Sequence, residues 1–136
     1  MTREITQLNP AELHKTAGYH HVTVVGAGRL AFLAGQCPVD PSGAVVGVDD
    51  VGAQVDQIAA NALTALTAVG AVPEQVVRSV IYVVTDDRAV LTAVWRRLNA
   101  SVIGPAFVSA STLLGVAQLG FPDQLVEVDL TAALSG

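Results

Sequence analysis

Apolar and polar positions recur in this chain with two different periods, and the switches between them mark its elements. From Tyr19 to Val25 the run YHHVTVV reads as a strand, Gly26-Ala27-Gly28 turns the chain, and Leu30 to Gln36 reads as a second strand. Two β-prone runs around a glycine pair predict a hairpin. Pro38 to Gly47, PVDPSGAVVG, reads as a loop with a tight Pro-Ser-Gly turn. The period then lengthens: Val51, Val55, Ile58, Ala62, Leu66 and Val69 recur at three- and four-residue steps. That is one apolar stripe over roughly five helical turns. Asp49 or Asp50 can cap its start and Gly70 can end it. Val76 to Val84, VVRSVIYVV, is the next strand, and a shorter helix follows with Leu91, Val94, Trp95 and Leu98 on one side. Ser111 to Ala133 holds two more strand-like runs, expected to pair through a turn around Gly120-Phe121-Pro122-Asp123.

The order β-β-α-β-α-β-β predicts an α+β fold, a mixed sheet with two helices on one face. Residues 1–136 are expected to form a single domain in which residues 1–18, polar and broken by Asn9-Pro10, are an irregular N-terminal segment. The other face of such a sheet must meet water or another subunit. Composition favours the subunit, because 51% of the residues are hydrophobic and only 14% charged, against about 25% charged in an ordinary domain. The net charge is −5, and the seven Lys and Arg are scattered, with Arg96–Arg97 as the one adjacent pair. No nucleic-acid partner is expected from that distribution. A single cysteine excludes an internal disulfide and fits a reducing compartment. No apolar run has membrane-spanning length and MTREITQLNP lacks the apolar stretch of a secretory signal. The expected location is cytoplasmic, with no membrane partner.

The candidate chemistry centres on Glu127, which sits between valines and shares a strand face with Asp129. If the last two strands pair, Ala117 lies near Leu125 and Gly115 near Glu127, and the glycine leaves space for a water or a small ligand above the carboxylate. Such a carboxylate either acts as a general base or accepts hydrogen bonds that hold a neighbouring subunit. His20 and His21 point to opposite faces of their strand, and no spacing supports a metal site, so neither metal nor cofactor is expected. Cys37 has no basic neighbour in sequence and reads as a small buried hydrophobe. Gly26-Ala27-Gly28 is followed by a strand, which excludes a phosphate loop. Trp95 reads as part of the helix–sheet core.

Four segments in register resemble one family. Leu33-Ala34-Gly35-Gln36-Cys37-Pro38-Val39-Asp40 is similar to the Ser-Gly-Gln-x-Pro-x-Asp segment of the Rid (YjgF, reactive-intermediate deaminase) proteins. Gln54 and Asn61, seven apart on the first helix, match a Gln and Asn pair there. Val80-Ile81-Tyr82-Val83 matches a central strand, and Leu125-Val126-Glu127-Val128 the closing Val/Ile-Glu-Ile/Val signature. The resemblance runs from about Tyr19 to Ala133 and implies a chorismate-mutase-like fold. It also implies a homotrimer with an inner barrel of three sheets and small-molecule clefts between adjacent subunits.

In the deaminase members an arginine grips the substrate carboxylate, and the signature glutamate positions the water that attacks an imine carbon. Carried over, the resemblance assigns Glu127 as the catalytic residue and Tyr19, Gly35, Ser111 and Thr112 as substrate contacts. The arginine is missing. Its position is Ser111, before Thr112, or Phe107 if the alignment follows Pro105-Ala106. The family's helix asparagine is Thr92, its serine before Gly-Gln is Ala34, and its occasional cysteine is Leu113. Arg29 and Arg88 are the candidates for supplying a cation from elsewhere. The expectation is a protein acting on a small imine, enamine or carbonyl metabolite other than 2-aminoacrylate; the alternative is a non-catalytic trimer binding a small metabolite. Ribonuclease activity, attributed to some relatives, has little support in these residues.

Overall fold

Two helices do lie on one face of a mixed sheet. A computed structural model describes residues 4–136 of the chain. Its strands are β1 (Ile5–Leu8), β2 (Val22–Val25), β3 (Leu30–Phe32), β4 (Val76–Val84), β5 (Ala110–Val116) and β6 (Val126–Ala133), and its helices are α1 (Val51–Ala68) and α2 (Arg88–Asn99). The main sheet has the order β3-β6-β4-β5, and β1 pairs with β2 separately. Strands β4 and β5 run parallel, a pairing that needs a crossover, which α2 supplies. Among the described residues no helix is long and apolar enough to cross a membrane.

Local signals set the elements. The carboxylate of Asp50 caps α1 by accepting from the Ala53 N–H at 3.0 Å. Gly70 follows the helix at φ +73 and donates to Thr67 O at 3.0 Å, so a positive φ and an otherwise orphaned carbonyl are both accommodated. Asp87 caps α2 in the same way through Ala89 N. The stripe of α1 (Val55, Ile58, Ala62, Leu66) packs with Val94 and Leu98 of α2 over Ile81, Val83, Val126, Val128 and Leu130 of the sheet, all of them buried.

Three expectations need correction, one concerning an element and two concerning strand partners. The stretch 1–18 is not wholly irregular, because Ile5–Leu8 is a strand. It takes β2 as partner, with Ile5 opposite Val25 and Leu8 opposite Val22, so Tyr19–Gln36 forms no hairpin. Strand β3 instead runs along β6, Phe32 opposite Thr131, because its Ala31 and the following Leu33 pack against the core. The Ser111–Ala133 hairpin is also not formed: β4 lies between β5 and β6. Tyr82 has Leu114 on one side and Glu127 on the other. Alternation predicts a strand and its two faces, but the neighbour is chosen by burial of a whole layer.

The sheet face away from the helices carries Val80, Tyr82, Thr112, Leu114, Glu127, Asp129 and Thr131, extended by Leu30 and Phe32 of β3. Phe32 is 76% exposed. Contiguous apolar exposure of this kind on a sheet face is uncommon in monomeric proteins.

Candidate functional site

Four of the five residues selected from sequence fall into two groups on opposite faces of the sheet. The first group surrounds Glu127. Its neighbours Val126 and Val128 are buried towards the helices, so alternation turns Glu127 to the open face. The segment after β3 is pinned beside it: Gln36 N–H donates to Val128 O at 2.7 Å and Val128 N–H returns a bond to Gln36 O at 3.1 Å. That bridge sets Gly35 and Cys37 against Glu127. A Cβ built on Gly35 would lie 2.2 Å from Glu127 Oε2, so the position admits no side chain while the carboxylate stays where it is. Glu127 Oε1 accepts from the Gln124 amide at 3.2 Å and from the Cys37 thiol at 3.3 Å. The glycine facing the carboxylate is therefore Gly35. Gly115, expected there from the closing hairpin, pairs with Val83, and a Cβ on it would meet Thr85 O at 2.8 Å.

Two amides on α1 hold the loops of this group. The Gln54 side chain, fully buried, donates to Gly47 O at 3.0 Å and Asp123 O at 2.8 Å and accepts from Leu125 N–H at 2.7 Å. Asn61 donates to Cys37 O at 3.0 Å and Val39 O at 2.9 Å. Both satisfy backbone groups that no sheet or helix would otherwise pair, and they fix the segments that deliver Gly35, Cys37 and Gln124.

The second group lies on the helix side of β5. A cavity of about 350 Å³ is lined by Ala17, Tyr19, Thr92, Trp95, Ser111 and Leu113. Trp95 Nε1 donates to Ala17 O at 3.0 Å, and its ring meets Tyr19 and Phe107 edge-on, with centroids 5.9 and 5.8 Å apart. Ser111 faces this cavity because it is in register with buried Ser79, whose hydroxyl donates to Ser111 Oγ at 2.6 Å. Ser111 in turn donates to Ser109 O at 3.0 Å. Its only proton is therefore committed to the backbone. Thr112 points the other way, to the open face, and accepts from Arg78 Nη2 at 3.3 Å. It lies in the row of Val80 and Asp129, two strands from β6 and roughly 10 Å across the sheet.

One chain thus unites Gly35 with Glu127 and Tyr19 with Ser111, but not the two pairs with each other. Thr112 joins neither. The reading of Cys37 as a plain hydrophobe is corrected by its half-buried position and its contact with Glu127. Trp95 touches the core as expected and also walls the cavity. Gln124, missed from sequence, carries no motif and enters through a loop.

Residues 10–134 match the family described as endoribonuclease L-PSP. The crystal structure of YyfB from Yersinia pestis, a Rid-family protein of unknown function, aligns with a TM-score of 0.87 at 32% identity. The alignment covers 96% of this chain and 98% of that one. The chain belongs to the Rid (YjgF) family. Rv2704 of Mycobacterium tuberculosis, a member of the YjgF/YER057c/UK114 family, has a TM-score of 0.63 at 23% identity over 96% of this chain and 100% of its own. Yeast Mmf1 has 0.68 at 17% over 97% and 100%. At those identities the two show a shared fold and nothing further. None of the curated protein sequences matches at significance. Tyr19, Gly35 and Glu127 stand at the positions that the sequence resemblance matched to the family's site residues. The cavity beside Tyr19 presents Ser111, one of the two positions, with Phe107, that the resemblance aligned with the deaminase members' arginine.

Proposed function

We propose that this Rid-family protein is a homotrimer that hydrolyses a small neutral imine or enamine in clefts between subunits. The observation that carries the reading is the division of the family's site residues between two faces. Tyr19 with Ser111 and Gly35 with Glu127 can line one cleft only if they come from different copies of the chain. The open sheet face, with Phe32, Leu30, Tyr82 and Leu114, supplies the apolar surface for that assembly.

In the reaction a water oxygen adds to the imine carbon while Glu127 takes its proton. The carboxyl returns that proton to nitrogen, giving a carbinolamine; the new hydroxyl's proton then passes through the same carboxylate to nitrogen as the C–N bond breaks, and a carbonyl compound and ammonia leave. Gln124 and Cys37 both take Oε1, which leaves Oε2, against Gly35, to the water. Substrate choice follows from the cavity. Its lining residues include no cation, and Ser111 has already spent its proton on Ser109 O. A serine hydroxyl replaces neither the charge nor the fork geometry of a guanidinium. A carboxylate there would forgo on the order of 2–5 kcal/mol, so the pocket suits an uncharged, apolar substituent lying against Tyr19 and Trp95. The family description names an endoribonuclease; the net charge of −5 and seven scattered cations argue against a phosphodiester substrate.

The test is ammonia release from imines generated in situ, one with an apolar substituent and one, 2-aminoacrylate, with a carboxylate. Wild type is expected to favour the neutral imine, Glu127→Gln to lose about 100-fold or more, and Ser111→Arg to gain on 2-aminoacrylate. Equal rates on both imines, or an active Glu127→Gln, would overturn the proposal. Ligand binding without turnover would leave the non-catalytic metabolite-binding trimer.

A further inference from the structure

We infer that Cys37 is a positioning residue for the Glu127 carboxylate, its thiol acting with the Gln124 amide to hold Oε1 so that Oε2 meets the attacking water. This rests on the reading of Glu127 as the group that handles water.

The geometry begins in the backbone. The two bonds between Gln36 and Val128 lock the segment after β3 onto β6, which makes Cys37 the cross-strand neighbour of Glu127. Asn61 then ties Cys37 O and Val39 O to α1, which fixes the backbone that carries the thiol. Sγ lies 3.3 Å from Glu127 Oε1 and 3.5 Å from Gly35 O. A thiol has one proton for these two acceptors, and the carboxylate is both nearer and charged, which makes it the stronger partner. Gln124 approaches the same oxygen at 3.2 Å while its amide also reaches Val126 O at 3.0 Å. Two donors from different segments on one oxygen select one rotamer of a side chain that otherwise has several.

Such a thiol is a donor and not a nucleophile. Burial, the hydrogen bond to Glu127 and the Glu127 charge push its pKa up to about 11, with Gln124 acting in the opposite sense. At neutral pH the reactive thiolate is scarce, and the proton stays where it can serve the carboxylate.

The chain has one cysteine, so its reactivity can be followed in the intact protein without ambiguity. In Glu127→Gln the thiol loses the anion that retains its proton. Alkylation by iodoacetamide at pH 8 is expected to accelerate several-fold over wild type, because the hydrogen bond and charge of Glu127 no longer add to burial in holding the thiol protonated. The S–H stretching band, which does not depend on reagent access, should move to higher frequency as its hydrogen bond weakens. With an imine substrate, Cys37→Val should lower kcat about 10-fold at nearly constant KM, and Cys37→Ser, which restores a donor, should recover most of the loss.

An unchanged alkylation rate together with an unmoved S–H band in Glu127→Gln would overturn the inference. So would Cys37→Val retaining full kcat. Coupling between thiol and carboxylate in a protein that turns over no imine would uphold the contact and remove the deaminase reading, so the two failures are separable.

Discussion

Gly35 shows how far a single residue controls the site. Any side chain there meets the Glu127 carboxylate, since a Cβ would lie 2.2 Å from Oε2 and 2.7 Å from Cδ. The obstacle is the mobile end of a side chain, so the protein can yield by turning the carboxylate away. Gly35→Ala is therefore expected to keep its thermal midpoint within a few degrees while imine hydrolysis falls at least 10-fold; a large loss of stability with activity intact would contradict this account. Cys37 makes a prediction in pH. Its pKa is raised in the folded chain from 9.0 to about 11, so the folded state holds a proton that the unfolded state releases first. That contribution to stability is fully present below pH 9 and is lost as pH rises towards 11. Wild type should lose melting temperature across that window more steeply than Cys37→Ala, as thermal scans at pH 8, 9, 10 and 11 would show.

At the scale of elements, α1 does more than cover the sheet. Gln54 joins it to the loop before α1 and to the turn before β6 through three hydrogen bonds from a side chain with no exposure to solvent. Gln54→Leu fills similar space but leaves Leu125 N–H and two carbonyls without that partner. Each unpaired buried group costs about 1–3 kcal/mol, and relaxation recovers part, so a net loss of about 2–4 kcal/mol is expected in urea unfolding. Because the turn also carries Gln124, ligand affinity should fall alongside stability. The helix stripe, its caps and β4 are legible in sequence because each is a local matter of period and end chemistry. Both expected hairpins fail because pairing is not local. Burying Ala31 and Leu33 sends β3 to β6, and β4 inserts between β5 and β6.

On the scale of the whole molecule, the decisive feature is the uncovered sheet face. Phe32 is 76% exposed and Leu114 42%, in a chain with a charged fraction of only 14%. In the proposed trimer, burying such surface against two further copies would remove the exposure and bring the Tyr19 cavity of one copy to the Glu127 of the next. Phe32→Asp with Leu114→Glu places charge on that face without touching the buried core. The double variant is expected to elute as a folded monomer with an unchanged far-ultraviolet spectrum and no imine hydrolysis. A folded trimer or an active monomer, judged by light scattering and ammonia release, would refute the divided site.

Sequence alone determined the α+β class, the bounds of α1 and β4, and the family, and it singled out Glu127 and Gly35 as candidate site residues. Those properties follow from short-range period, capping and motif order. Only the tertiary structure decided what Glu127 touches. Its partners Cys37, Gln124 and Gly35 reach it through a bridge to β6 and a loop held by Gln54, contacts between residues far apart in sequence. Only the register decided that Ser111 and Glu127 face opposite ways, because a residue's side of the sheet depends on which strand lies beside it and in what alignment.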